Sequence, residues 1–254
     1  MIIDSHAHLD LLEDYKAALE RARQAKVIHV VTIGVDLETS AKAAEFAKQE
    51  KNVSFCPGIH PHDAAEAPPD YQKQLLDLAQ SNGAVGWGEC GLDYYYNKSP
   101  KQEQRRIFSE QIEAAKNAGL PLVIHDRDAH EEVLELLAEQ DAGQVGGVIH
   151  CFSGDEKIAR KALDLGFHLG VTGTITFPKS EDLRKAVAIT PLERLLVETD
   201  CPFLAPVPKR GKPNEPSYLP YTVTALAKVL KMDPEKLART TTQNTSRLFG
   251  LNLD

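Results

Sequence analysis

The sequence predicts an α/β fold, a TIM-type (β/α)8 barrel with C-terminal helices, and three observations predict it. Eight short apolar runs alternate with longer amphipathic stretches along the 254 residues, as strands and crossover helices do in parallel α/β proteins. Helix exits carry glycine where the next apolar run is about to begin. Polar side chains able to bind metal follow several of the runs, and in a parallel barrel all such strand ends open on one face.

Residues 2–5, Ile2-Ile3-Asp4-Ser5, form the first strand and lead into His6-Ala7-His8. A helical pattern at 14–25 precedes a strand at 27–34 built on Val27-Ile28-His29-Val30-Val31. Helix 39–50, strand 53–58 and helix 71–82 continue the alternation, and Ala84-Val85-Gly86-Trp87-Gly88 places a strand at 84–89 that stops on Glu89. Helix 100–118 ends at Gly119, and the strand at 121–125 stops on His125 after Leu122-Val123-Ile124. Helix 129–139 leads to strand 147–150, where Gly147-Val148-Ile149 stops on His150. Helix 156–165, closed by Gly166, precedes strand 168–172, and helix 180–189 precedes strand 195–199, which is followed by Asp200. Residues 201–216 carry neither pattern, are rich in proline and hold Lys209, Arg210 and Lys212; loops of that length are usually functional or disordered. Helices at 219–231 and 234–249 close the chain, and with no repeat or linker in between, residues 1–254 are expected to form a single domain.

At 42% hydrophobic and 26% charged residues a large core is attainable, and nothing suggests disorder. The net charge of −8 argues against a broad basic face for nucleic acid, although bound cations would offset Glu89 and Asp200. Cys56, Cys90, Cys151 and Cys201 form no C-x-x-C pair, which excludes a zinc knuckle and a dense disulfide framework. Without a leader-like N-terminus or a long apolar run, the expectation is a cytoplasmic protein with no membrane association.

His6 and His8 lie two apart, so in an extended chain both imidazoles project to the same side and can reach one ion. Paired strand histidines also occur without metal. With Glu89, His125, His150 and Asp200 at further strand ends, the set exceeds one tetrahedral ion and suits two ions sharing a bridge. Glu89 is the expected bridge, with His6, His8 and Asp200 on one ion and His125 and His150 on the other. Asp200 has a second role as proton acceptor for the attacking water. His29, His130 and His168 read as structural. His60 and His62, in Gly58-Ile59-His60-Pro61-His62, could contact a substrate phosphate, and His60 could serve as an acid; a histidine beside proline also simply holds a loop. Cys90, Cys151 and Cys201 each follow a proposed ligand and read as packing residues, and no nucleophile is paired with a base.

The chain resembles the TatD family of metal-dependent deoxyribonucleases, within the wider amidohydrolase-like barrels. The resemblance is carried by Asp4-Ser5-His6-Ala7-His8-Leu9, Gly58-Ile59-His60-Pro61-His62, Gly86-Trp87-Gly88-Glu89-Cys90-Gly91-Leu92-Asp93-Tyr94-Tyr95, His125-Asp126-Arg127, His150-Cys151-Phe152-Ser153-Gly154, Glu198-Thr199-Asp200-Cys201-Pro202-Phe203-Leu204 and Asn244-Thr245-Ser246-Arg247-Leu248-Phe249. It implies a TIM-like barrel, divalent metals and hydrolysis of DNA phosphodiesters, commonly from the 3′ end.

On that basis the expected activity is 3′-5′ exodeoxyribonuclease action on single-stranded DNA ends, where an acidic protein need contact few phosphates. Arg127, Lys209 and Arg210 are candidate phosphate ligands, with solvated surface charge as the alternative. Tyr94, in Tyr94-Tyr95-Tyr96, is the candidate ring for a terminal base, with packing of the barrel mouth as the alternative. A metal-dependent amidohydrolase or esterase acting on a small molecule or aminoacyl-tRNA is a second reading, and an inactive metal- or protein-binding module a third. Imidazole-rich ligation favours zinc, manganese, iron or nickel, whereas the family resemblance implies magnesium dependence.

Overall fold

The computed structural model describes residues 1–252. The strands are β1 (Ile2–Ala7), β2 (Val27–Ile33), β3 (Val53–Cys56), β4 (Trp87–Asp93), β5 (Leu122–Arg127), β6 (Gly147–Ile149), β7 (His168–Val171) and β8 (Leu195–Val197). A crossover helix joins each successive pair: α1 (Tyr15–Gln24), α2 (Leu37–Gln49), α3 (Tyr71–Asn82), α4 (Lys101–Ala118), α5 (His130–Glu139), α6 (Glu156–Asp164) and α7 (Glu181–Ile189). Helices α8 (Leu219–Val229) and α9 (Pro234–Leu248) follow the last strand. None of the helices in the described residues is long and apolar enough to cross a membrane.

The helices start where side chains can take over orphan amides. Asp14, Asp36, Asp155 and Asp233 accept the N–H groups of Ala17, Thr39, Ile158 and Lys236 at 2.9, 2.7, 3.0 and 2.8 Å. Gly83 and Gly119 end α3 and α4 in the left-handed conformation, which lacks a Cβ penalty only for glycine.

All strand pairs are parallel, in the sequential orders β1-β2-β3 and β4-β5-β6-β7-β8. The two arcs meet at two seams. Val85 N–H and Gly88 N–H donate to Phe55 O and Pro57 O at 3.0 and 2.9 Å, joining β4 to β3. Asp200 N–H donates to His6 O at 3.0 Å and His8 N–H to Cys201 O at 2.9 Å, joining the exit of β8 to β1. The ring is thus a TIM-type barrel with no free sheet edge.

Strands covered on both faces are buried throughout, as in β1 and β4. Val31, Ile33, Cys56, Val123, Val148, Leu196 and Phe249 form one apolar cluster inside the ring, with Phe249 contributed from just beyond α9. Val123 and Val148 lie two residues before His125 and His150, so this cluster floors the barrel beneath the ligand side chains. A larger apolar layer, including Trp87, Phe108 and Ile112, fills the space between strands and helices.

Every expected strand and helix is present, most with shifted ends, while α3 has the expected bounds. The largest shift is in β4, expected at 84–89 and found at Trp87–Asp93, so Glu89 lies inside the strand rather than at its end. The apolar run was a poor guide because β4 continues through Cys90, Gly91 and Leu92, buried by its neighbours. Residues 201–215 contain no helix or regular strand, yet the segment is pinned: Asn214 Nδ2 donates to Thr199 O and Phe203 O at 2.8 and 2.7 Å.

His29 and His168 pack structurally, with His29 Nε2 2.8 Å from Ser54 Oγ and His168 Nδ1 donating to Gly147 O at 3.2 Å. Burial pushes both imidazoles down to about 4. The folded state therefore refuses protons that the unfolded chain accepts below about pH 6.5, and stability is lost as pH falls from there through 4. Relative to wild type, the double variant His29→Gln/His168→Asn is expected to lose on the order of 1–2 kcal/mol less per histidine between pH 7 and 4.5. Urea melts at both values measure this; parallel pH slopes would refute it.

Candidate metal centre

Strand parity decides which side chains enter the mouth of the barrel. His6 points inward from β1, and His8 follows two residues later, just past the strand. Glu89 and Asp93 lie four apart on one face of β4. Gly91 between them has φ 144°, and a Cβ there would collide with His125 O, so glycine lets β5 approach. His150 follows β6 directly, and Asp200 lies three residues beyond β8 at φ 56°, held by its N–H to His6 O.

The six expected ligands converge, divided by the two oxygens of Glu89. Glu89 Oε2 lies 3.4 Å from His6 Nε2 and 3.6 Å from His8 Nε2, while Asp200 Oδ1 lies 3.8 and 3.5 Å from the same nitrogens. Glu89 Oε1 lies 2.7 Å from His125 Nδ1 and 3.5 Å from His150 Nε2. The His6 and His8 Nε2 atoms are 3.3 Å apart, and the His6 and His150 rings stack with centroids 3.6 Å apart. Three donor groups each have ligand atoms within 4.8 Å of one another: His6, His8 and Asp200; His6, Glu89 and His150; and His60, Glu89 and His125. Nitrogen and oxygen donors about 2.0–2.2 Å from one ion stand at comparable spacings, so the set fits divalent cations.

Electrostatics point the same way. Burial would lower His150, but the Glu198 and Glu89 carboxylates hold it up at about 10; His125 is held at about 9 against burial by Asp93 and Glu89. Burial would raise Glu89, yet the charge of His150 and the hydrogen bonds of His125 and His6 keep its carboxyl well below the usual range. The cluster draws positive charge to Glu89, whether carried by protons or by a divalent cation.

His60 also enters the cluster, its Nε2 3.2 Å from His125 Nδ1 and 3.6 Å from Glu89 Oε1. Its Nδ1 accepts His62 N–H at 3.0 Å, and burial together with His125 keeps the ring neutral. Nε2 therefore carries the proton and faces the site as a donor. His62 donates from Nε2 to Asp93 Oδ2 at 2.9 Å.

The other candidates surround the mouth. The Arg127 guanidinium lies over the rings of Tyr95 and Tyr96, 4.4 and 4.9 Å from their centroids. Lys209 lies over Tyr218 at 4.9 Å, and Arg210 over Phe177 at 4.4 Å, none of them among the ligand groups. Tyr94 is not a stacking surface: its ring packs on the core, its hydroxyl is buried, and Lys101 Nζ covers its ring at 3.9 Å. Tyr95, Tyr96 and Phe203 do expose their rings, and Phe203 stands edge-on to His8 at 6.2 Å.

Sequence reasoning assigned no role to three buried acids of the site. Asp93 bridges His62 and His125, Glu198 accepts from His150, and Asp4 accepts from Thr199 N–H and Oγ1–H at 2.8 and 2.6 Å. Asp93 and Glu198 stand at even spacing from Glu89 and Asp200, the signal that could have found them.

A model of the TatD-related DNase family matches residues 3–250. An uncharacterized metal-dependent hydrolase of Bacillus subtilis, YabD, is 40% identical over 255 residues, covering 99% of this chain and 100% of its own. The 3′-5′ ssDNA/RNA exonuclease TatD of Cronobacter sakazakii is 38% identical over 245 residues, covering 94% of this chain and 93% of its own. The crystal structure of the TatD homologue YjjV from Escherichia coli superposes with a TM-score of 0.93 at 29% identity, over 99% of this chain and 98% of that one.

Proposed function

Because the chain belongs to the TatD-related DNase family and is thus a metal-dependent hydrolase acting on ester bonds, we propose that it removes nucleotides from the 3′ end of single-stranded DNA. The observation that carries this reading is the division of the ligands between the two oxygens of Glu89, which suits in-line displacement at phosphorus. Glu89 would bridge two cations, with His6, His8 and Asp200 holding the first and His125 and His150 the second. The imidazole-rich donors favour zinc, manganese or nickel over magnesium. When bound, the cations supply Lewis acidity to the phosphodiester and to the attacking water.

Asp200 takes the water's proton, since its side chain keeps 13% exposure toward the mouth whereas Glu89 keeps 3% and is engaged through both oxygens. His60 donates Nε2–H to a non-bridging phosphate oxygen. Phe203, 52% exposed beside His8, and Tyr95 and Tyr96, 59% and 55% exposed, offer rings to unpaired bases, each stack contributing about 1–3 kcal/mol. Arg127, Lys209 and Arg210 supply cations to the phosphates next along the strand, so a few local contacts suffice for a protein of net charge −8.

A 5′-labelled single-stranded oligodeoxynucleotide incubated with protein and Mn²⁺ should shorten stepwise from its 3′ end, with no shortening in excess chelator and recovery when Mn²⁺ is restored. Chelator-resistant digestion would refute the metal requirement. Intact DNA alongside turnover of a carboxylic ester would replace the nuclease reading with an esterase.

A further inference from the structure

The four histidines of the proposed ligand set, His6, His8, His125 and His150, are supported in two different ways. His150 Nδ1–H donates to Glu198 Oε1 at 3.0 Å and His125 Nε2–H donates to Asp93 Oδ2 at 3.1 Å, each turning its other nitrogen toward Glu89 Oε1. Among the described residues no carboxylate hydrogen-bonds the Nδ1 atoms of the other pair. His8 Nδ1–H meets Ile33 O at 3.3 Å, and His6 Nδ1 is buried with no hydrogen-bond partner among the described residues.

Both supporting carboxylates are themselves fixed. Glu198 is fully buried, accepting Cys151 N–H on Oε1 at 2.6 Å and Ser5 Oγ–H on Oε2 at 3.1 Å. Its carboxylate occupies the space beside Gly170, where an added Cβ would lie 2.6 Å from Oε1. Asp93 accepts Tyr96 N–H at 2.8 Å, and Gln104 clamps its backbone, accepting Asp93 N–H at 2.8 Å and donating to Asp93 O at 3.1 Å.

We propose that Asp93 and Glu198 are positioning residues that create the second cation position selectively, leaving the first to His6, His8 and the direct charge of Asp200. They fix opposite tautomers, Nδ1 free on His125 and Nε2 free on His150, and strengthen both free nitrogens as donors. Loss of such a partner typically lowers metal affinity about 10–100-fold. The inference rests on the two-cation reading above, and makes the two positions separately removable through residues that touch neither ion.

Zn²⁺ titrated calorimetrically into chelator-washed protein tests it. Wild type should bind two ions, and Glu198→Ala and Asp93→Ala should keep one at wild-type affinity while weakening the other about 10–100-fold. Glu198→Gln, which keeps an acceptor, should fall between. Position is assigned by pairing: Glu198→Ala added to His150→Ala should leave the remaining ion unchanged, but added to His8→Ala should weaken it. If Glu198→Ala fails to fold by circular dichroism, Gly170→Ala, which displaces the carboxylate, should reproduce the selective loss. Two ions at wild-type affinity in the folded variants, or equal weakening in both backgrounds, would overturn the proposal. A single ion in wild type would instead refute the two-cation reading.

Discussion

Glu89→Ala is expected to reduce hydrolysis on the order of 10³-fold or more and to lower the content of tightly held metal, with the barrel intact. Among the described residues Glu89 is the one side chain whose oxygens face both ligand groups, Oε2 toward His6 and His8 and Oε1 toward His125 and His150. Its removal takes from the proposed two-cation centre the carboxylate that both ligand groups share. The apolar floor of Val123, Val148, Leu196 and Phe249 lies below and is untouched, so secondary structure should survive. Turnover of single-stranded DNA, elemental analysis and far-ultraviolet circular dichroism check the three parts. A folded variant with wild-type metal content and rate would remove Glu89 from the centre of the mechanism.

Asp200→Asn is expected to separate metal binding from chemistry. The amide keeps an oxygen to face His6 and His8 Nε2 but cannot accept a proton from water, so kcat should fall roughly 10²–10⁴-fold with KM and metal content little changed. Glu89 cannot substitute, since both of its oxygens are committed. Steady-state kinetics beside metal analysis on the same sample decides the matter. Unchanged turnover would exclude Asp200 as the proton acceptor; loss of metal together with activity would assign it to binding alone.

The proposed ligands were legible because each is a polar side chain at or near the end of an apolar run, where a parallel barrel has one open face. Glu89 illustrates the limit: the residue was found, but the strand was ended on it, and Asp93, four residues further along β4, was passed over. Glu198 was hidden inside an apolar run whose function looked structural. Periodicity fails in turns and cannot separate Tyr94 from its neighbours: the chain leaves β4 there, with Tyr94 packed against the core and Tyr95 and Tyr96 outward. The positions of Lys209 and Arg210 depend on the path of residues 201–215, set by Asn214 hydrogen bonds that no local pattern announces.

The seam between the exit of β8 and β1 also bears on how the enzyme comes into being. Thr199 N–H reaches Asp4 Oδ1 across 195 positions of sequence, among the most distant pairings the chain makes. Bringing such remote segments together carries a loop-closure cost that local contacts do not share. Glu89, His125 and His150 come from neighbouring strands in the middle of the chain, whereas Asp200 meets His6 and His8 where beginning and end join. The proposed proton acceptor thus joins the proposed ligand set only through the contact that closes the ring.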